Sequence, residues 1–412
     1  MTTTSNLAPL SISPNGRYFV DRHGQPFFWL GDTLWHLYRS FTPEEVRAIL
    51  QDRKEKGFSV VLVMLIGYEK EPAPNLNGDL PWCDGDPAQP NERYFAHVDE
   101  VMRIACELDF VQVVGVYHKT QDGFYAPERA AGVGMPALQT ARESARRIAN
   151  RYREVPQLIW TMYPEAKRQY LPVVRALAEG LVEGDGGAHW ITVHPDPSPQ
   201  SSSFLHGEPW LAFNMLQTCV DMEQIYAMTA ADYALTPVKP AVMAEGGYEG
   251  VEFDRPIAPR DIRRQAYWTY LAGGHHVYGH NDNWQAPAKW REWINAPGSS
   301  HLEVYRRIIT GLKEWWSIMP NQSIIAQGVG TGMELNAAGL SAAADWALVY
   351  LSGRHTVSVR MDRIKSSERV AATWIDPRTG EREPIGTFGY SEVVDLATPE
   401  GWEDGLVLLE GE

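Results

Sequence analysis

Only three cysteines, Cys83, Cys106 and Cys219, occur among the 412 residues, and none forms a C-x-x-C pair. So sparse and odd a set excludes a disulfide framework and argues against a zinc knuckle. Basic residues are also short, with 37 Lys and Arg against 52 Asp and Glu and a net charge of -15. A general nucleic-acid binder carries a basic face, so that class is set aside. No run approaches the roughly 18 apolar residues of a membrane span. The opening MTTTSNLAPLSISPNG lacks a basic segment followed by an apolar one. The reading is therefore cytoplasmic, with secretion the alternative if a signal has been removed. The first apolar run ends in Gly31-Asp32-Thr33-Leu34-Trp35, with no G-x-G-x-x-G after it. That absence argues against a doubly wound dinucleotide-binding sheet.

What is present is an ordinary globular balance of 44% apolar and 22% charged residues. The length predicts two domains, or one large barrel plus an appendage. An N-terminal hairpin is expected from Leu10–Ser13, the Asn15-Gly16 turn and Arg17–Asp21. Pro26–Gly31 is an apolar run ending on Asp32. Thr42, Pro43 and Glu45 carry the signature of a capped helix start, and Gly57 marks its end. Apolar strands are then predicted over 58–66, 111–117, 157–163, 190–193, 211–216, 240–244 and 276–278. Helices are predicted over 97–108, 135–153, 168–182, 222–234, 259–272 and 302–316. Continuous apolar runs mean strands buried on both faces. The fold class is thus α/β, a (β/α)8 TIM barrel over 1–319. After Pro320 the texture changes to short alternating segments at 333–336, 346–351, 356–361, 370–375, 392–396 and 406–409. These predict an all-β sandwich domain over 320–412.

Chemistry in such a barrel sits at the carboxyl ends of the strands. Those ends supply Asp32, Tyr68, His118, Glu165, His194, Asn214, Glu245, and His280 with Asn281. Two carboxylates stand out, Glu165 after strand four and Glu245 at the end of strand seven. Glycoside hydrolysis needs such a pair, one to protonate the leaving oxygen and one to attack the anomeric carbon or activate water. The competing reading is that each caps a helix or pairs with an Arg. Asp32, Trp35 and His36 are expected to line a sugar pocket, although Trp35 equally suits core packing. Tyr248 is placed to hydrogen-bond Glu245. Trp284, Trp290 and Trp293 suit either an aromatic platform or packing of the last helix. His275, His276 and His280 lack a matching carboxylate spacing, so no metal is expected and none of the residues implies a cofactor. The Arg142–Arg153 run reads as a solvated helix face.

These segments also carry a resemblance. Residues 15–19 and 28–33, Trp210–Gln217 (WLAFNMLQ), Ala244–Glu249 (AEGGYE), Arg263–Trp268, Tyr278–Asn281, Trp284-Gln285 and Trp374–Gly380 (WIDPRTG) are similar to the apiosidase-like glycoside hydrolases. The resemblance implies a (β/α)8 catalytic domain followed by a collagen-binding-type sandwich. It also implies a retaining mechanism on a small plant-type glycoside or oligosaccharide, with apiose-containing substrates foremost. The family's nucleophile is a Glu in a G-E-P-x-Y-E setting, which Glu245 matches with Gly246 in place of the Pro. Its acid/base is an Asp in a W-x-x-G-G-D setting, and Glu165 aligns with it in Trp160–Glu165 (WTMYPE), where both glycines are gone. That departure motivates a second expectation, a glycosidase for another pentose, a rhamnoside or a glucoside. A third is a carbohydrate-binding protein without activity. The expected partner is a carbohydrate or glycoside substrate, with no nucleic acid and no membrane; a homodimer through the sandwich is left open.

Overall fold

The computed structural model describes residues 9–69, 71–118, 121, 135–252, 255–365 and 368–412, with the backbone alone at 135–137 and 163–166. Eight strands form one sheet: β1 (Leu30–Thr33), β2 (Val60–Met64), β3 (Val111–His118), β4 (Leu158–Ala166), β5 (Ile191–Pro195), β6 (Asn214–Gln217), β7 (Ala241–Glu245) and β8 (His275–Tyr278). Their order is β5-β4-β3-β2-β1-β8-β7-β6. Pairing is parallel, as in Val60↔Val111 and Trp160↔Ile191. The two outermost strands meet through a parallel bridge at Ile191↔Leu211, with Ala212 N donating to Ile191 O at 2.9 Å. The sheet is a TIM barrel, and its strands are rich in buried apolar residues because both faces are covered.

The longer helices among the described residues alternate with these strands: α1 (Pro43–Glu55), α2 (Glu92–Glu107), α3 (Met135–Tyr152), α4 (Leu171–Asp185), α5 (Ile225–Tyr233), α6 (Pro259–Leu271) and α7 (Pro297–Thr310). Thr42 caps α1 in a full capping box with Glu45, and Pro43 occupies the first turn. The close approach of α4 to α3 depends on Gly180 and Gly184, where a Cβ would overlap the carbonyls of Arg142 and Arg146. Arg142 and Arg146 point outward into exposed ion pairs with acidic neighbours.

The chain packs as two compact units. One comprises Met1–Ile12, Phe19–Gln217 and Gly279–Ile294; the other comprises Ser13–Tyr18, Thr218–Tyr278 and Asn295–Glu412. The second unit holds the C-terminal antiparallel domain. Its strands are β9 (Ile318–Pro320), β10 (Ile325–Gln327), β11 (Ala337–Ser341), β12 (Trp346–Leu351), β13 (Thr356–Arg360), β14 (Arg369–Ile375), β15 (Arg382–Gly389), β16 (Val393–Ala397) and β17 (Gly405–Gly411). They form a six-stranded sheet, β9-β11-β12-β17-β14-β15, and a three-stranded sheet, β10-β13-β16. Side chains of both sheets, among them Val349, Val357, Val359, Trp374 and Val407, share one apolar core.

Helix α6 fastens the barrel part of this unit to the C-terminal domain. Every residue from Asp261 to Leu271 is buried. Arg263 donates to both carboxylate oxygens of Asp404 at 3.0 and 2.7 Å, and Tyr350 Oη donates to the same carboxylate at 2.8 Å. Arg264 reaches Ser352 O at 2.8 Å and Trp268 Nε1 reaches Leu335 O at 3.0 Å. Tyr267 stacks on Tyr350 with centroids 5.0 Å apart. Each fully buried side chain of this size contributes on the order of 1.5–3 kcal/mol through removal of apolar surface from water.

Four expectations change. The run over 26–31 divides: Pro26–Phe27 pairs antiparallel with Phe19–Val20, and β1 starts only at Leu30. The helix expected over 302–316 runs from Pro297 to Thr310, and Trp315–Ser317 is a 3-10 turn. The segment over 333–336 overlaps the 3-10 turn Gly332–Glu334 and precedes the strand, which begins at Ala337. Strand β15 was not anticipated, because REPIGTFG combines Pro, two Gly and charge without alternation.

Candidate active site

In the first unit, a set of ring side chains gathers at the carboxyl ends of β1 to β5. After β1 the chain places Trp35 and His36; Leu34 N donates to Leu62 O and Met64 N to Trp35 O, so this turn is stitched to β2. Tyr68 follows β2, and His118 ends β3. Their rings lie 6.0 Å apart, and Trp284 meets Tyr68 edge-on at 6.2 Å. His194 in β5 is fully buried and meets Trp35 edge-on at 5.7 Å. Gln121 joins two of the loops, since its Oε1 accepts from His118 N at 3.2 Å and its Nε2 donates to Gly67 O at 3.1 Å.

A polar chain stands behind Tyr68. Glu69 receives two hydrogen bonds from Arg39, at 2.7 and 2.5 Å. Arg39 Nη2 also lies 2.8 Å from His36 Nδ1. A guanidinium only donates, so Nδ1 must accept, and the imidazole proton sits on Nε2. That nitrogen is 3.0 Å from Tyr68 Oη, so it donates there. Burial and then the Arg39 charge push His36 down to about 4, which keeps the ring neutral. Burial pushes the Tyr68 hydroxyl up to about 12 and His194 down to about 3. The rings of His36, His194 and Tyr68 are therefore uncharged at neutral pH.

Glu165 lies in the last residues of β4, where Tyr163 pairs with His118 of β3. Its side chain lies outside the described residues. His280 follows β8, and its Nδ1 accepts from Asp282 N at 3.1 Å, capping the short helix Asn281–Gln285 that carries Asn281 and Trp284. Asn283 of that helix donates to Thr33 O.

In the second unit, Glu245 ends β7 and is buried. Its backbone carbonyl accepts from Thr218 N at 2.9 Å and Cys219 N at 3.4 Å. Tyr248 Oη donates to Glu245 Oε2 at 2.7 Å, the contact expected from sequence. Burial, then the Glu245 charge, push the Cys219 thiol up. Gly246 stands where the family setting has Pro, and a Cβ there would overlap Gln265 Oε1.

Other expected site residues are engaged elsewhere. Asp32 lies inside β1 and pairs with Arg53 of α1 at 2.6 Å, both side chains at most 1% exposed. Its carboxylate braces helix to strand. Asn214 opens β6 instead of ending it, and its Oδ1 lies 3.2 Å from His206 Nδ1. The strand end is Gln217, followed by Thr218; both are buried polar residues that the sequence reading passed over. Glu249 is buried and accepts from Tyr278 Oη at 2.7 Å and Gly298 N at 2.8 Å. Trp290 donates to Glu45 at 3.0 Å, and Trp293 is buried near the Arg53 guanidinium, 5.6 Å from its ring, so both pack the barrel wall. Among the described residues, no group of three or more His, Cys, Asp or Glu is arranged to hold a metal ion. No helix among them is long and apolar enough to cross a membrane.

Comparison with known proteins identifies the family. Residues 13–317 match the family described as "Apiosidase-like, catalytic domain". Residues 319–410 match a "Putative collagen-binding domain of a collagenase". No curated protein matches the chain. A solved structure titled a glycoside hydrolase is similar with a TM-score of 0.86 at 23% identity, covering 98% of this chain and 97% of its own. A glycoside hydrolase family 5 structure from Bacteroides vulgatus gives 0.87 at 23% identity, covering 99% and 95%. A family 5 mannosidase from Rhizomucor miehei gives 0.52 at 13% identity, covering 67% and 86%. At these identities the structures speak for the fold alone, and the match across the barrel decides the family: the chain belongs to the apiosidase-like family and is a glycoside hydrolase.

Proposed function

We propose that the protein is a retaining glycoside hydrolase acting on a small plant-type glycoside or oligosaccharide, with apiose-containing substrates the first class to try. Glu245 is the nucleophile and Glu165 the acid/base. The observation that carries this reading is the Glu245 carboxylate at the end of β7, oriented by Tyr248 at 2.7 Å within the family's catalytic domain. In the first step, a Glu245 oxygen attacks the anomeric carbon while Glu165 gives its proton to the departing oxygen. In the second, Glu165 takes a proton from water, whose oxygen displaces the Glu245 ester. Trp35, His36, Tyr68, His118, His194, His280, Asn281 and Trp284 bind the sugar through rings and hydroxyl contacts. Two other carboxylates are already engaged, Asp32 with Arg53 and Glu249 with Tyr278 and Gly298, which supports Glu165 as the acid.

A second reading keeps the same chemistry on another sugar. It is favoured by the strand-four segment Trp160–Glu165, which lacks the two glycines of the family setting and reshapes the leaving-group side. A panel of aryl and plant glycosides separates the two. The roles are tested by substitution. Glu245→Gln should abolish turnover in a folded protein. Glu165→Ala should slow substrates with poor leaving groups far more than activated aryl glycosides, with azide rescuing the second step. Turnover near wild type in Glu245→Gln removes the nucleophile assignment. Equal damage to both substrate types moves the acid elsewhere.

A further inference from the structure

Gln265 on α6 is buried and reaches the loop that follows Glu245. Its Oε1 accepts from Gly247 N at 2.8 Å, and its Nε2 donates to Gly247 O at 3.0 Å. One side-chain amide therefore satisfies both backbone groups of a single residue. That residue stands two positions after the carboxylate and one before Tyr248, whose hydroxyl holds Glu245 Oε2. Paired bonds of this kind fix rotation as well as translation of a peptide, which a single bond does not. Gly246 leaves the space the amide needs, and Gly247 lies so close to Ile257 and Met222 that a Cβ there would overlap both. The helix cannot yield, because Arg263, Arg264 and Trp268 anchor it to Asp404, Ser352 and Leu335.

We infer that Gln265 is a positioning residue for Glu245. It holds the Gly246–Tyr248 segment so that the Tyr248 hydroxyl and the carboxylate keep their mutual geometry. The inference rests on the reading of Glu245 as nucleophile, and it makes the C-terminal domain, through α6, a support of the catalytic loop.

The test uses the full chain, Gln265→Ala and Gln265→Glu, and an aryl glycoside that the wild type turns over. Melting temperature, kcat, KM and hydrogen exchange of the 244–250 peptide are measured. Gln265→Ala should keep KM within about 2-fold. Its kcat should fall by about 10- to 100-fold, the scale of a misplacement near 1 Å. Exchange of the Gly247 and Tyr248 amides should rise. Gln265→Glu keeps the acceptor for Gly247 N but sets a carboxylate oxygen against Gly247 O. Its kcat relative to wild type should recover as pH falls and the new side chain gains a donor. Wild-type kcat in folded Gln265→Ala overturns the inference. If that variant does not fold, Gln265→Glu decides, and wild-type kcat with no relative pH dependence overturns it. Turnover surviving in Glu245→Gln would instead strike the nucleophile assignment, so the two failures are told apart.

Discussion

Asp404 is the position at which the C-terminal domain grips the barrel part of its unit, and Asp404→Ala should be costly. The carboxylate has no exposed surface and accepts three hydrogen bonds, two from Arg263 and one from Tyr350. Breaking a buried ion pair by removing one partner costs about 3–5 kcal/mol, because a charge is left without compensation. Arg263 keeps His301 Nδ1 at 2.9 Å and the half-exposed Glu403 at 3.1 Å, which puts its share at the lower end. Tyr350 Oη loses its acceptor while fully buried, adding about 1–3 kcal/mol. A total near 4 kcal/mol is expected. Urea unfolding followed by tryptophan fluorescence measures it. The double variant Arg263→Met/Asp404→Leu should recover most of the loss, since a packed apolar pair is often as stable as a buried ionic one. A cost under about 1 kcal/mol for Asp404→Ala would refute the view that this cluster anchors α6.

Two further outcomes follow from the same unit and its neighbours. Gly246→Ala should lower kcat and stability together, by about 1–3 kcal/mol in stability, because its Cβ must displace the Gln265 amide; an unchanged melting temperature and kcat would contradict the fit described. Stability should also fall as pH drops from about 6.5 toward about 4. Burial lowers His194 and His276 to about 3 and His275 to about 4, against 6.5 for an ordinary imidazole. The unfolded chain then takes up protons that the folded chain refuses, so the contribution is intact above about pH 6.5 and is lost as pH falls toward the folded values. His276→Gln should flatten the dependence of the urea midpoint on pH; an identical slope in that variant would contradict the assignment.

Local signals carried most of the architecture. The Thr42–Glu45 capping box is visible in four letters and forms as read. Apolar runs such as FSVVLVMLI mark buried parallel strands because both faces of such a strand are covered. Glu245 and Tyr248, three residues apart on one loop, are close enough for their contact to be foreseen. What escaped depends on distant partners. Asp32 sits in a segment that resembles the family's opening, but Arg53, 21 residues on, claims its carboxylate. Asn214 lies within WLAFNML, where the approach to the strand is as apolar as the strand, so periodicity gives no boundary. Gln265 was visible only inside a matching stretch. Its fit against Gly246 and Gly247 becomes apparent when α6 is seen against the loop.

The anomeric form of the first sugar released tests the central claim most directly. Proton NMR, recorded during the early turnover of a substrate the protein cleaves, reads that form before mutarotation mixes it. Attack by Glu245 on carbon and a second displacement by water predict a first product with the configuration of the substrate, as for a carboxylate pair about 5–5.5 Å apart. An inverted first product would contradict the account, leaving Glu245 at most a base for water.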